Sequence, residues 1–244
     1  MYLSALCVTR GRPDLVREAV RQFELQTHRE AELIIIDDAG QYGRYCGPAN
    51  VRVLSRREEV ASLATLRNRG FELAAGHAVA IWDDDDWYFP WHLSALSLQL
   101  DAGAKWVRPL TVWDEVEPGQ FYKTRTAGAS GEQRSVCYHG CWAITREAWE
   151  LAGRYPTTHP GDSDSELSYK ILATVGPSAD SVCDAFPEPS YCYRRHRCAV
   201  RGSEMSAAAM LERRKETLTY FGDISGAWPD RWMEGLPAGM PPGP

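Results

Sequence analysis

The strongest constraint on the fold is a series of short apolar runs that alternate with helical patterns and end in carboxylates. Leu33-Ile34-Ile35-Ile36 is a continuous apolar run that closes on Asp37-Asp38. A run without polar alternation suits a strand buried on both faces of a parallel sheet. Leu3 to Val8 reads the same way and leads into Thr9-Arg10-Gly11-Arg12-Pro13, a turn with proline where a helix would begin. The helix predicted from about Asp14 to Gln26 carries Leu15, Val16, Ala19, Val20 and Phe23 at helical spacing, enough to cover one face of a sheet. Val51 to Leu54 reads as a third strand, and Ala61 to Ala75 as a second helix stopped by Gly76 as its C-cap. Ala78-Val79-Ala80-Ile81-Trp82 is a fourth strand that delivers Asp83-Asp84-Asp85-Asp86. This order predicts an α/β chain with a mostly parallel central sheet flanked by helices, in which ligands sit beyond the carboxyl ends of the strands. Both acidic groups lie at such ends.

Four adjacent carboxylates at a strand end repel one another unless a cation or cationic ligand neutralises them. Their oxygens are hard ligands suited to Mg2+ or Mn2+, ions that commonly enter a site together with the phosphates of a nucleotide. An acidic turn solvated by water, or held by neighbouring arginines, is compatible with the same residues.

Further on, a helix is expected from after Pro90 to Leu100 and a strand over Trp106 to Trp113. Residues 115–133 read as a loop or hairpin, and Ala148 to Leu151 and Asp164 to Val175 as short helices. Tyr191 to Tyr193 suits an edge strand, Ala207 to Phe221 a final helix, and Leu236 to Pro244 a disordered Pro/Gly-rich tail. With 244 residues, 44% of them hydrophobic, one domain with a substantial core is expected. No run is long enough to span a bilayer and no secretion leader is visible, so a soluble, cytoplasmic protein with free thiols at its seven cysteines is expected. Cys137, His139 and Cys141, and Cys192, His196 and Cys198, lack the spacing of common zinc modules. A net charge of −6 argues against a protein that mainly coats nucleic acid, although Arg194, Arg195, Arg197 and Arg201 form a local basic cluster.

Several of these segments, in order, closely resemble the family 2 glycosyltransferases, inverting nucleotide-sugar-dependent enzymes of the Rossmann-like GT-A fold. The resemblance covers roughly residues 2–200. It rests on Ser4 to Val8 with Arg10-Gly11-Arg12, Leu25-Gln26-Thr27, Ile36-Asp37-Asp38, Leu66-Arg67-Asn68-Arg69-Gly70, and Trp82 to Asp86 before Pro90. It implies a GT-A domain over 1–222 and a tail over 223–244. Within the domain it implies a nucleotide-sugar-binding half (1–113), an acceptor and catalytic-base half (114–203) and a C-terminal helix (204–222).

The resemblance also implies roles. Asp38 would accept a hydrogen bond from the base, with Val8, Thr9, Arg10 and Arg12 lining the donor pocket and Arg67 approaching the phosphates. Asp83-Asp84-Asp85 matches the family's D-x-D element, with Asp85 on the metal (Mn2+ or Mg2+) and Asp83 or Asp84 on the ribose or a metal-bound water. His196 would contact metal or phosphate. Asp164 matches the general base, with Asp162 and Glu166 as nearby alternatives, and Trp87, His139, Trp142 and Asp162 would form the acceptor pocket. The implied reaction moves a sugar from a nucleotide-diphosphate sugar, a UDP-sugar first among them, to an acceptor hydroxyl on a glycan, a small molecule or a hydroxymethylated base in DNA. Two other readings stand beside it. A nucleotidyltransferase would carry a Gly-rich, Lys-containing loop after the first strand, which Thr9 to Asp14 lacks; a non-catalytic nucleotide-sugar-binding module would lack the base.

Overall fold

The structure is a computed structural model that describes residues 1–42, 47–57, 62–117, 120–125, 138–157, 163–194 and 218–220. Strand β1 (Leu3–Thr9), helix α1 (Pro13–Glu24), β2 (Ala31–Asp37), β3 (Val51–Ser55), α2 (Leu63–Leu73) and β4 (Ala78–Ile81) follow the expected order. They are succeeded by β5 (Trp87–Tyr88), α3 (His92–Asp101), β6 (Trp106–Arg108) and the hairpin β7 (Thr111–Glu117) and β8 (Gln120–Arg125). A 3-10 turn (His139–Cys141) leads to β9 (Ala143–Thr145), α4 (Arg146–Leu151), α5 (Ser163–Thr174), β10 (Ala179–Asp180), β11 (Tyr191–Arg194) and β12 (Leu218–Tyr220).

Seven strands form the central sheet in the order β10-β6-β9-β4-β1-β2-β3. The pairs β1–β2, β1–β4, β2–β3 and β6–β10 are parallel, whereas β9 runs antiparallel to both β4 and β6. Every residue of β2 and β4 is buried, as their unbroken apolar runs require. The five remaining strands form a second sheet, β12-β8-β7-β11-β5, next to the ends of β1 and β4.

Four local expectations are corrected. The run Trp106 to Trp113 is two strands, because Pro109 offers no N–H to a ladder and the chain changes sheets there. Tyr191–Arg194 is an inner strand between β7 and β5, consistent with the complete burial of Tyr191 and Cys192. Leu218–Tyr220 pairs with β8 as a strand instead of lying within a helix. Gly76 is no C-cap: α2 ends at Leu73, and a Cβ on Gly76 would lie 2.5 Å from the Ser4 backbone nitrogen. Glycine stands there because the chain crosses β1 at contact distance, with the Gly76 N–H donating to Ser4 Oγ. At this end of the sheet burial raises the Glu32 carboxyl, but bonds from Ser4 Oγ, the Ala75 N–H and Arg52 more than offset it and lower its pKa.

The opposite end, where β1, β2 and β4 terminate, carries the acidic residues. Trp82, fully buried, closes the core there, stacked on Tyr88 with centroids 3.8 Å apart and meeting the edge of Phe23. Burying a large aromatic side chain stabilises by about 2–3 kcal/mol, so the acidic run hangs from a firm anchor. Cys7, Cys141, Cys183 and Cys192 are free thiols; the other three cysteines lie outside the described residues.

Candidate active site

The four carboxylates fan out from the end of β4 and meet different partners. Asp84 has no exposed surface and turns back under β1, where Thr9 Oγ1 donates to it at 2.5 Å. Arg12, at the N-cap of α1, divides its guanidinium between Asp84 (2.6 Å) and Asp85 (2.7 Å). Desolvation drives the Asp84 pKa up to about 6 against the opposing pull of Thr9 and Arg12. Asp83 is also pushed up to about 6, by burial and then by its acidic neighbours, with Arg67 (3.5 Å) the counterweight. Asp86 rises well above the usual carboxylate range because it is buried beside Asp85 and Asp83, although Tyr191 OH and the Arg194 N–H both donate to it.

Gly140, in the 3-10 turn, supplies the floor. A Cβ there would sit 2.7 Å from Asp83 Oδ2 and 3.1 Å from Asp86 Oδ2, so only glycine lets the backbone come this close to both carboxylates. The Tyr88 hydroxyl accepts from the Asp83 N–H (2.6 Å) and donates to the Gly140 carbonyl (3.0 Å), tying the turn to the run.

Two buried glutamines fix the chain beyond the run. Gln22, in α1, and Gln26, just beyond its C-cap Leu25, use their carboxamides as surrogate peptide groups. Gln22 donates to the Asp86 carbonyl and accepts from the Tyr88 N–H; Gln26 donates to the Phe89 carbonyl and accepts from the Leu93 N–H. Glu18, a turn earlier, receives Trp87 Nε1 (2.9 Å) and the Arg194 guanidinium (3.1 Å), which lies over the Trp87 ring. Arg194 Nε also donates to the Asp85 carbonyl (2.8 Å). The signal for these residues was present in the sequence: polar side chains at buried positions of an amphipathic helix need partners, and the partners lie beside the acidic run.

A second group faces the run from α5. Asp164 stands in its first turn, where a carboxylate complements the helix dipole. Arg67 donates to Asp164 Oδ1, 97 positions along the chain from it, and also approaches Asp83, so one buried guanidinium joins the acidic run to α5. Burial would raise the Asp164 pKa, but His139 and Arg67 outweigh it and hold the carboxyl well below the usual range. Arg67 lies mid-helix in α2, and its two acidic partners account for its position. Asn68 is structural: it bonds both the N–H and the carbonyl of Tyr155 at 2.9 Å and accepts Trp149 Nε1.

The sequence-predicted residues thus separate. Thr9, Arg12, Arg67, Asp83, Asp84, Asp85, Asp164 and His139 converge. Val8 lies at the end of β1, and Arg10 reaches Asp38 at 3.7 Å on the flank of the site, with Asp38 itself buried. Neighbouring Asp37 closes a turn, accepting from Ala39 N–H, Gln41 N–H and Ser55 Oγ. Trp142 does not line an acceptor pocket: its ring has no exposed surface and packs edge-on against Trp106, with the core. Trp87 is only partly buried but is occupied by Glu18 and Arg194. Asp162 and His196 lie outside the described residues, among which no three His, Cys, Asp or Glu side chains converge as a metal-holding group. Tyr88, Tyr155, Tyr191 and Glu18 were missed, since a buried tyrosine reads as core until its hydroxyl is seen to have a polar partner.

Residues 4–151 match the model of glycosyl transferase family 2. No curated protein matches the sequence. Among solved structures, the 1–349 fragment of S. aureus TarS in complex with UDP-GlcNAc is similar at 14% identity and a TM-score of 0.60, covering 96% of this chain and 64% of that one. The same fragment with UDP gives 13% and 0.59, covering 80% of this chain and 61% of that one. This chain therefore spans about three fifths of those structures, and at such identity the likeness carries the fold. No helix among the described residues is long and apolar enough to cross a membrane. With the family match spanning more than half of its length, and strand ends arranged as above, the chain belongs to glycosyl transferase family 2 and has its GT-A fold.

Proposed function

We propose that this chain is an inverting glycosyltransferase that moves a sugar from a UDP-sugar to an acceptor hydroxyl, with Asp164 as general base. The observation that carries the reading is the single guanidinium of Arg67 that places Asp164 against the acidic run. TarS is a solved relative in fold whose structures hold UDP and UDP-GlcNAc, which supports a uridine nucleotide as the donor.

The residues present fit a divalent cation. Asp84 and Asp86 are buried and tied to Thr9, Arg12, Tyr191 and Arg194, whereas the Asp83 and Asp85 side chains, paired with Arg67 and Arg12, keep 31% and 27% of their surface exposed. Two accessible carboxylates, and no all-protein cage among the described residues, suit Mg2+ or Mn2+ completed by the diphosphate of the donor. Asp85 is the assigned ligand and Asp83 its partner towards ribose or a bound water. Such a cation supplies neutralisation of the charge that grows on the departing diphosphate.

The protein's own groups do the rest. Asp38, with Arg10 beside it, would accept from the base, and Thr9 and Arg12, which hold Asp84, would line the donor pocket. An acceptor hydroxyl attacks the anomeric carbon from the face opposite the leaving group, and Asp164 takes its proton. The Arg67 pair keeps Asp164 ionised at neutral pH while lowering its basicity. Proton transfer becomes favourable as the hydroxyl oxygen bonds to carbon and its own acidity rises. The experiment is a panel of nucleotide sugars scored by thermal shift with Mn2+, followed by an acceptor screen that includes glycans, small molecules and hydroxymethylated DNA. Stabilisation by a UDP-sugar and transfer from it are expected; stabilisation by no nucleotide sugar rejects the proposal.

A further inference from the structure

Asp164 Oδ2 and His139 Nδ1 face each other 4.0 Å apart, too far for a hydrogen bond between them. The other oxygen, Oδ1, is taken by Arg67 and by Ser163 Oγ at 3.3 Å. The His139 ring is 6% exposed, and its Nδ1 is buried with no hydrogen-bond partner among the described residues. A buried polar atom left so calls for an explanation, and a bound oxygen between it and Asp164 supplies one.

The remaining ring nitrogen fixes what Nδ1 offers. His139 Nε2 lies 2.9 Å from the Tyr155 hydroxyl. Burial holds the imidazole neutral, its pKa drawn down to about 3 despite the attraction of Asp164, so the ring has one donor and one acceptor nitrogen. A proton on Nε2 would point the Nδ1 lone pair at an ionised carboxylate. Donation from Tyr155 OH to Nε2 avoids this and places Nδ1–H towards Asp164. An oxygen about 2.8 Å from both Nδ1 and Oδ2 spans their 4.0 Å separation with an apex angle of about 90°, within reach of a bent pair of hydrogen bonds.

We propose that Asp164 Oδ2 and His139 Nδ1–H together hold the acceptor oxygen, with Tyr155 the positioning residue that sets the tautomer of His139. The inference rests on the glycosyl-transfer reading and deepens it by naming the groups that position the acceptor hydroxyl. The site takes a group that donates one hydrogen bond and accepts another, a hydroxyl or water, and disfavours an ammonium, which has no lone pair. In the step, the acceptor oxygen forms its bond to the anomeric carbon and the bond to the diphosphate breaks with its electron pair leaving on oxygen. The hydroxyl proton passes to Asp164 Oδ2, and His139 keeps its own proton throughout.

Because water meets the same requirement, the test needs no identified acceptor. UDP release is followed with UDP-GlcNAc, or with whichever UDP-sugar of the donor panel binds, in Mn2+. Asparagine places a donor near the Nδ1 position and glutamine near Nε2. His139→Gln and Tyr155→Phe are expected to lower kcat about tenfold or more at unchanged donor KM, while His139→Asn retains most of the rate. Independently of activity, 15N resonances of the His139 ring are expected to show the proton on Nδ1, and a tautomer mixture in Tyr155→Phe. A proton on Nε2 in the donor-binding wild type, equal losses in the Asn and Gln variants, or a change in KM alone overturns the proposal. A wild-type protein that binds no UDP-sugar overturns the donor reading as well, which separates the two failures.

Discussion

Asp84 and Asp164 are the same side chain, both pressed into protein, and the structure moves them in opposite directions. Asp84 is pushed up to about 6 and Asp164 is held well below the usual range. Burial penalises the charge of both; the difference lies in the balance of neighbours. Asp164 has a guanidinium and an imidazole nearby, with Asp83 beyond Arg67. Asp84 shares Arg12 with Asp85, inside a run of four carboxylates, of which Arg67 reaches only Asp83 and the Arg194 guanidinium is held by Glu18. One end of the site is therefore a satisfied ion pair and the other an excess of negative charge. An excess of that kind is tolerated where function requires a cation to fill it.

The largest effect that would sharpen this contrast is at the satisfied end. Asp164→Asn is expected to reduce transfer by about 10²–10⁴-fold while donor affinity by calorimetry stays within about twofold, as for loss of a general base. Transfer close to the wild-type rate would move the role to Glu166 or Asp162.

Next is the floor between the two ends. Gly140→Ala puts a methyl 2.7 Å from Asp83 Oδ2, so the run must shift. A loss of about 1–3 kcal/mol in chemical denaturation is expected, together with at least tenfold weaker Mn2+-dependent donor binding. Unchanged donor binding would show that Asp83 does not need its present position.

The smallest effect is electrostatic. A carboxyl raised to about 6 keeps its proton in the folded chain over a pH range where the unfolded chain, near 3.8, has released it. Stability contributed by Asp83 and Asp84 therefore falls as pH rises from about 4 to 6, and the penalty is complete above that. His139, drawn down to about 3, acts oppositely: stability falls as pH drops below the ordinary histidine range. Asp84→Asn removes one contribution and leaves the other. Relative to wild type without added metal, its thermal midpoint is expected to gain a few degrees between pH 4 and pH 7. Parallel pH curves for the two proteins would contradict the elevated Asp84 pKa.

The two ends also differ in how far the sequence revealed them. The parallel strands and their acidic ends were legible because burial on both faces writes itself as an unbroken apolar run; the helix opening near Asp164 was legible too, while the role proposed for that residue comes from the family resemblance. What was not legible is pairing across the chain. Arg67 reaches Asp164 and Tyr191 reaches Asp86 over roughly a hundred residues, and nothing local in a helix or strand encodes such a contact. Trp142 was misplaced for a related reason, since a tryptophan beside a site and one beneath it look alike in sequence. The antiparallel β9 escaped notice because its three residues are too few to show a period.

The central claim is that the surplus charge of the acidic run exists to hold a cation bridged to a nucleotide diphosphate. Calorimetric titration of UDP into the wild type and into Asp85→Ala, each with and without Mn2+, tests it most directly. Binding that needs Mn2+ in the wild type and is lost in Asp85→Ala is the predicted result. UDP binding of equal strength with and without Mn2+, or preserved in Asp85→Ala, would contradict it.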